Sequence, residues 1–293
     1  MWKLWLMIER LHKAIRYLAS KDVAGRSLRT YADDTFIVSY PKSGNTWARF
    51  LVANLIYRDE PVTFLNIDRL IPMADNQSRK YFKRMARPRI IKSHYPFEPA
   101  YKRVIYIVRD PRDVAVSQYH YQLKRQVLSE DSPIEEFVHR FVLGETCPYG
   151  SWGEHVSSWV AARSGSPDFL LIHYENMIDQ PLIEVAKLAS FLKLKATPEL
   201  IMNAVERSSA GHLRKLEKLQ ADQWDSTKGT RADIAFVREA ICGRWKSALP
   251  GGCVAEIEAA WGPLMRWLKY DPTIITEAAS NRIYELLPQG YAQ

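Results

Sequence analysis

The segment Phe36-Ile37-Val38-Ser39-Tyr40-Pro41-Lys42-Ser43-Gly44-Asn45-Thr46-Trp47 constrains this chain more than any other. A short apolar run feeds a turn of small residues, and a helical pattern, Trp47 to Tyr57, begins directly after it. A strand that enters such a turn and opens a helix aims backbone N–H groups at an anion, and the helix N-terminus adds partial positive charge. Lys42 adds a full charge, while Ser43 and Thr46 add hydroxyl donors. The segment therefore predicts a protein that uses a nucleotide or another phosphate. It is not the usual P-loop, in which Lys follows the second Gly of G-x-x-x-x-G-K-[ST]. Here Lys42 precedes Gly44.

Three further apolar runs read as strands: Arg89-Ile90-Ile91-Lys92, Val104-Ile105-Tyr106-Ile107-Val108 and Phe169-Leu170-Leu171-Ile172. The β-branched, almost wholly apolar Val104 run is typical of a buried parallel strand. Helices are expected over Asn45–Tyr57, from about Pro111 to Lys124 and over Pro181–Leu192, with Thr197-Pro198 as an N-cap and first helical position. A late helical pattern, Val254 to Leu268, is interrupted by Gly262-Pro263, and Leu216 to Ala235 reads as a loop or lid. Alternating strands and helices predict one α/β domain, a central parallel sheet flanked by helices. No Gly/Ser-rich or Pro-rich linker divides the chain. Residues 31–293 are read as that domain.

Residues 1–30 are read as an N-terminal amphipathic helical segment packed on it. Trp5, Ile8, Leu11, Ile15 and Leu18 recur at helical spacing, with Lys3, Arg10, Lys13 and Arg16 elsewhere on the helix. The apolar run Leu4 to Ile8 is too short for a signal core or a membrane span. The segment suits packing on its own domain or on a homodimer partner, and alternatively peripheral contact with a membrane surface.

The net charge of +8 favours an anionic partner, whether nucleotide, acidic substrate, nucleic acid or lipid surface. Cys147, Cys242 and Cys253 are odd in number and lack metal-ligand spacing, so a reducing cytoplasm is expected rather than a disulfide framework or zinc site. No acidic cluster suggests a hard metal ion.

Ligands of open parallel sheets bind beyond the carboxyl ends of the strands. Those ends carry the Lys42 turn, then Lys92-Ser93-His94, then Arg109-Asp110-Pro111-Arg112-Asp113 with Ser117 two helical turns on, then His173-Tyr174-Glu175. Lys, Arg, Ser and Tyr are donors to anions, and His titrates near neutrality.

With these residues in place, the chain resembles the sulfotransferase family, which uses 3′-phosphoadenosine 5′-phosphosulfate (PAPS) and releases PAP. The resemblance rests on Tyr40–Trp47, Lys92–His94, Arg109–Ser117, Gly150-Ser151-Trp152 with His155, and Gly243-Arg244-Trp245-Lys246, in the family's order. It implies a single α/β domain related to nucleotide kinases. It also implies that Lys42 holds the bridging oxygen and the transferred group, and that Ser43, Gly44, Asn45 and Thr46 cradle the 5′-phosphate. Trp47 would stack on adenine, Arg109 and Ser117 would bind the 3′-phosphate, His94 would be the general base, and Lys92 would support transition-state charge. Tyr174 matches a family tyrosine near adenine, Ser208 a nucleotide contact, and Arg238 an arginine on the 3′-phosphate. Two departures stand out. Glu239 and Ala240 follow Arg238 where the family has Lys-Gly, and Ala210 stands where many relatives have an adenine-stacking Phe.

The implied reaction is in-line sulfonate transfer from PAPS to a hydroxyl, or secondarily an amine. Such a displacement spreads charge onto equatorial and leaving oxygens, as phosphoryl transfer does. Two lysines can stabilise that charge, and a sulfonyl group carries less of it than a phosphoryl group, so no metal is required. An imidazole suits removal of the hydroxyl proton near neutral pH. The competing readings are a nucleotide-dependent kinase on a related fold and a basic module that binds nucleic acid or acidic lipid. The kinase lacks its Gly-Lys-Ser/Thr turn, and nothing here resembles a nucleic-acid motif, so no nucleic-acid partner is expected. The partner would be a small-molecule acceptor. Tyr81, Phe82, Met85, Tyr149 and Trp224 hint that it is apolar or aromatic, and the N-terminal segment suggests a glycolipid.

Overall fold

Phe36, Ile37 and Val38 have no accessible surface and form β1, Thr35–Ser39, near the centre of a four-stranded parallel sheet. The other strands are β2, Ile90–Ser93, β3, Arg103–Val108, and β4, Phe169–His173, in the order β2-β1-β3-β4. The computed structural model describes residues 23–238 and 240–273. The N-terminal helix expected before Val23, and Glu239, lie outside the described residues.

The strands divide their side chains between two cores. Phe36, Val38, Val104, Tyr106 and Val108 face one, whereas Ile37, Ile105 and Ile107 face the other. That alternation follows from the two-residue period of a strand. It obliges helices to cover both faces, and the apolar runs demand it because neither face meets water.

In chain order the helices are α1, Asn45–Ile56; α2, Ile67–Leu70; α3, Arg79–Arg84; α4, Pro111–Lys124; α5, Ile134–Val142; and α6, Trp152–Arg163. They continue with α7, Tyr174–Asp179; α8, Pro181–Phe191; α9, Pro198–Arg207; α10, Ala210–Gln220; α11, Trp245–Ala248; and α12, Gly251–Trp267. Local chemistry sets several starts. Asp110 accepts from the Arg112 N–H with Pro111 at the first turn of α4, and Thr197 caps α9 by accepting from Leu200 N–H. Ser151 and Glu154 form a capping box on α6.

One boundary differs from expectation. Gly262-Pro263 does not interrupt the last helix, which runs unbroken through Pro263. Proline removes one helical hydrogen bond near the C-terminal end, while Trp261, Leu264 and Met265 are buried in the sheet-face core. The packing outweighs the lost bond. The expected loop over 216–235 is also helical as far as Gln220, the end of α10.

Candidate active site

Parallel pairing aligns Ile37 with Lys92 and Val38 with Ser93, so the carboxyl ends of β1 and β2 stop together. The β1, β3 and β4 registers bring Ser39 to Ile107 and Val108 to His173. The Lys42 turn, His94, Arg109 and Tyr174 therefore gather at one edge of the sheet. They line a cavity of about 790 Å³.

The turn after β1 is built for close approach. Lys42 has φ 70° and Gly44 φ 100°, both left-handed. At Gly44 the reason is tangible: a Cβ there would lie 2.4 Å from Tyr174 Cδ2. Tyr174, the first residue of α7, is thereby packed on the turn, and the Arg109 guanidinium carbon sits 4.2 Å from its ring centroid. Asn45 points its amide back, donating to Ile37 O and Ser39 Oγ at 3.2 Å each, which ties the first turn of α1 to β1.

Cations converge on this cavity. Lys42, Arg109, Arg238 and Arg244 line it together with Thr46, Ser117 and Trp47. Desolvation, and then the charges of Arg109, Lys92 and Arg238, lower the Lys42 pKa to about 7. Desolvation and the Arg49 charge bring Lys92 to about 7 despite the carboxylates of Asp68 and Asp75. Burial, then Arg244 and Arg109, pull Arg238 to about 10. Like charges held this close call for an anion between them.

The unsatisfied donors agree. Arg109 Nε is buried without a hydrogen-bond partner, and among the described residues its polar contacts are long, 3.5 Å to Lys42 O and 3.9 Å to Asp113; Ser43 Oγ is also unpartnered but is not on the cavity wall. Asp113 is committed elsewhere, accepting from the N–H groups of Gly243 and Trp245 at 2.7 and 3.0 Å. Those bonds position the Gly243–Lys246 segment and so bring Arg244 to the cavity. The donor set fits a polyanionic nucleotide.

Trp47 stands half-buried beside these cations. Its Nε1–H donates to Ser208 O at 2.8 Å, and Tyr174 meets it edge-on at 5.7 Å. The indole is thus fixed in orientation. Ser208 itself is wholly buried, its hydroxyl accepting from Asn54 Nδ2, and it is not among the cavity-lining residues. Ala210 does line the cavity.

His94 has a defined tautomer. Its Nδ1 lies 2.7 Å from Ser39 O, a carbonyl that can only accept, so Nδ1 carries the proton. Burial first, and then the Lys92 charge, hold its pKa well below the usual imidazole range. The ring is therefore neutral at pH 7, with Nε2 an acceptor. His155 is wholly buried and not among the cavity-lining residues; it fixes the backbone there, donating from Nε2 to His94 O at 2.9 Å and accepting from Tyr106 Oη at 2.9 Å. Among the described residues no group of His, Cys, Asp and Glu is arranged to hold a metal ion.

With this geometry established, comparison with known proteins is decisive. Residues 32–268 match the family model for the sulfotransferase domain. The chain belongs to the sulfotransferase family. It is 32% identical to sulfotransferase 1E1 of Bos taurus over 231 residues, 73% of this chain and 77% of that one. It is 30% identical to sulfotransferase 1A1 of Bos taurus over 249 residues, 80% of this chain and 83% of the relative. Solved structures share the fold. Retinol dehydratase in complex with retinol and PAP superposes with TM-score 0.71 at 17% identity, covering 86% of each chain. Mouse sulfotransferase SULT7A1 with PAP gives 0.66 at 24%, covering 84% of this chain and 90% of that one. The protein is a PAPS-dependent sulfotransferase with a parallel α/β core.

Of the residues singled out from the sequence, Lys42, Gly44, Asn45, Thr46, Trp47, Lys92, His94, Arg109, Ser117, Tyr174 and Arg238 share the cavity. Ser43 and Ser208 do not reach its wall. Sequence reasoning missed Gln118 and Tyr121 as lining residues and gave Arg244 no role; Asp75 and Phe236 fall in two of the loops expected to build an acceptor pocket, 66–87 and 216–236, but neither residue was singled out. Tyr121 carried a signal, since it lies one helical turn beyond Ser117 on the same face of α4. Asp75 and Phe236 sit in irregular segments and carried none.

Proposed function

We propose that the enzyme transfers a sulfonate group from PAPS to a hydroxyl of a small-molecule acceptor by in-line displacement, with His94 as general base. The observation that carries this reading is the neutral His94 imidazole, locked with Nδ1–H on Ser39 O and Nε2 left basic in a cavity that Lys42 and Lys92 share. PAPS supplies a sulfonate on a phosphosulfate linkage.

His94 Nε2 would take the acceptor's proton as its oxygen bonds to the sulfonate sulfur and the S–O bond to the 5′-phosphate breaks, the electron pair leaving with PAP. Ser39 O then stabilises the imidazolium through the existing Nδ1–H bond. Lys42 and Lys92 place ammonium charge where negative charge grows, in a site partly closed to water, where such contacts are strongest. Arg109, Ser117 and Arg238 hold the 3′-phosphate end, and Gly44, Asn45 and Thr46 offer the α1 N-terminus to the 5′ end. Trp47 stacks on adenine. The solved fold holds retinol beside PAP in one relative, which supports a small-molecule acceptor. The free cysteines support placement in the cytoplasm.

The test is incubation with radiolabelled PAPS and a panel of phenols, sterols, sugars and glycolipids, alongside PAP calorimetry. PAP binding and a labelled sulfonated product are expected. Folded protein that binds no PAP overturns the reading of the donor site.

A further inference from the structure

The acceptor end of the cavity contains a carboxylate that the reaction does not use. Asp75 lines the wall with Tyr95, Tyr149 and His94. Its Oδ2 accepts from Tyr149 Oη at 2.6 Å, but Oδ1 is buried with no hydrogen-bond partner. A carboxylate oxygen removed from water and left unpaired is costly, and costs more when charged. The two phenols beside it stay protonated, since burial and then the Asp75 charge push both Tyr95 and Tyr149 upward, so they can offer it neutral O–H donors but no counter-charge.

The surrounding rings add a second preference. Tyr95 and Tyr149 meet edge to face at 5.9 Å, and the Tyr149 ring lies 5.7 Å from that of His94. A carboxylate at a corner of electron-rich rings recognises a cation better than a neutral group, through a charge-assisted hydrogen bond and attraction to the ring faces. One tyrosine ring separates this corner from the base. Asp75 also favours the charged form of Lys92, and Lys42, Arg109 and Arg238 line the same cavity. Asp225 is a second, exposed carboxylate on the wall, and Arg125 also lines it, its guanidinium carbon 5.9 Å from the Tyr121 ring centroid.

We infer that the natural acceptor carries an ammonium group in addition to the hydroxyl that is sulfonated, and that Asp75 binds that ammonium while His94 faces the hydroxyl. This adds a charged group to the apolar or aromatic acceptor suggested by the aromatics, and it rests on the sulfotransferase reading above.

The test compares three phenols of one skeleton: tyramine, 4-ethylphenol and 4-hydroxyphenylacetate, which end in an ammonium, a methyl and a carboxylate. With the wild-type enzyme and saturating PAPS, kcat/KM is expected to be about tenfold or more higher for tyramine than for 4-ethylphenol, and lowest for the carboxylate. In Asp75→Asn the tyramine preference should fall about tenfold or more. Asp75 also lies near Lys92, but any effect on the chemical step cancels in the ratio of two acceptors within one variant. If no phenol is turned over, the same comparison is read as binding to the enzyme–PAP complex by calorimetry. Equal or weaker use of tyramine in the wild type, or a ratio unchanged in Asp75→Asn, overturns the inference. Loss of PAP binding would instead indict the donor-site reading.

Discussion

Phe236 caps Lys42, with the lysine nitrogen 4.3 Å from the ring centroid. Tyr121 approaches the same ammonium at 4.2 Å. Phe236 is itself anchored: its N–H donates to Glu217 at 2.6 Å and its ring meets Trp224 at 4.9 Å. Trp224 Nε1–H reaches Asp68 at 2.8 Å, and Asp68 pairs with buried Arg49 at 2.6 Å. The segment after α10 therefore connects the cap over Lys42 to the helices that flank Lys92.

Removing the cap sets two effects against each other. The ring favours the charged lysine by cation–π attraction, worth about 0.5–2 kcal/mol. It also keeps water away, and desolvation is the leading cause of the depressed Lys42 pKa. Hydration should win. In Phe236→Ala the alkaline limb of kcat/KM for PAPS, expected near pH 7 in the parent enzyme, should move to higher pH. A limb that moves down shows that the ring stabilises the charge more than it desolvates it.

Donor binding should take up protons. Lys42 and Lys92 each have a pKa of about 7 in the ligand-free protein, below the usual lysine value, and a bound polyanion raises both. Between pH 7 and the ordinary lysine range the free enzyme has lost protons that the complex regains, so PAP affinity should fall as pH rises through that window. His94 is already neutral there and contributes nothing. Calorimetry at pH 8 in buffers of different ionisation enthalpy checks this, and an enthalpy independent of buffer refutes it.

Much of the donor half was legible in the sequence because its parts are local. The cradle is one continuous segment after β1, and Lys92, Arg109 and Tyr174 each end or follow an apolar run that reads as a strand. The acceptor half was legible only in part. Tyr149 stood out as an aromatic that could meet the acceptor, but Asp75 and Phe236 come from irregular segments far apart in the chain, and no period or turn chemistry places the three together. Ser208 was singled out for likeness and sits one layer behind, under Trp47. Side-chain versus carbonyl roles of this kind depend on tertiary packing, which a sequence pattern does not record.

Gly44→Ala should be disproportionately harmful for one methyl group. The backbone there has φ 100°, and the new Cβ would lie 2.4 Å from Tyr174. Tyr174 supports Arg109, so displacing it should disturb both the turn and the 3′-phosphate site. Strain and overpacking of this kind each cost about 1–3 kcal/mol. A lower melting temperature and loss of PAP binding are expected, and wild-type PAP affinity in this variant would show that Tyr174 is free to move aside.

Lys42→Ala and His94→Ala should separate binding from chemistry. Lys42 belongs to the anion site, so its loss should abolish both PAP binding and turnover. His94 holds no donor group in the proposed arrangement, and its Nδ1–H bond goes to Ser39 O. His94→Ala should keep PAP affinity while kcat falls about 10²–10⁴-fold, the range for a general base. Full activity in that variant would remove His94 from the mechanism.

Trp47 and Ser208 make the last contrast. The indole is pinned by the Ser208 carbonyl at 2.8 Å, a main-chain group that Ser208→Ala retains. That substitution removes only a hydroxyl held by Asn54, whose amide also donates to Phe50 O at 3.0 Å. Ser208→Ala should therefore leave PAP affinity within about threefold of wild type, since Asn54 keeps one partner. Trp47→Ala removes the stacking surface, and base stacking on an aromatic side chain is worth roughly 1–3 kcal/mol, or about five- to 150-fold in affinity. Calorimetric titration of both variants with PAP decides the point. If Ser208→Ala proves as damaging as Trp47→Ala, the serine hydroxyl touches the nucleotide directly. The side chain would then have to leave Asn54 when the donor binds.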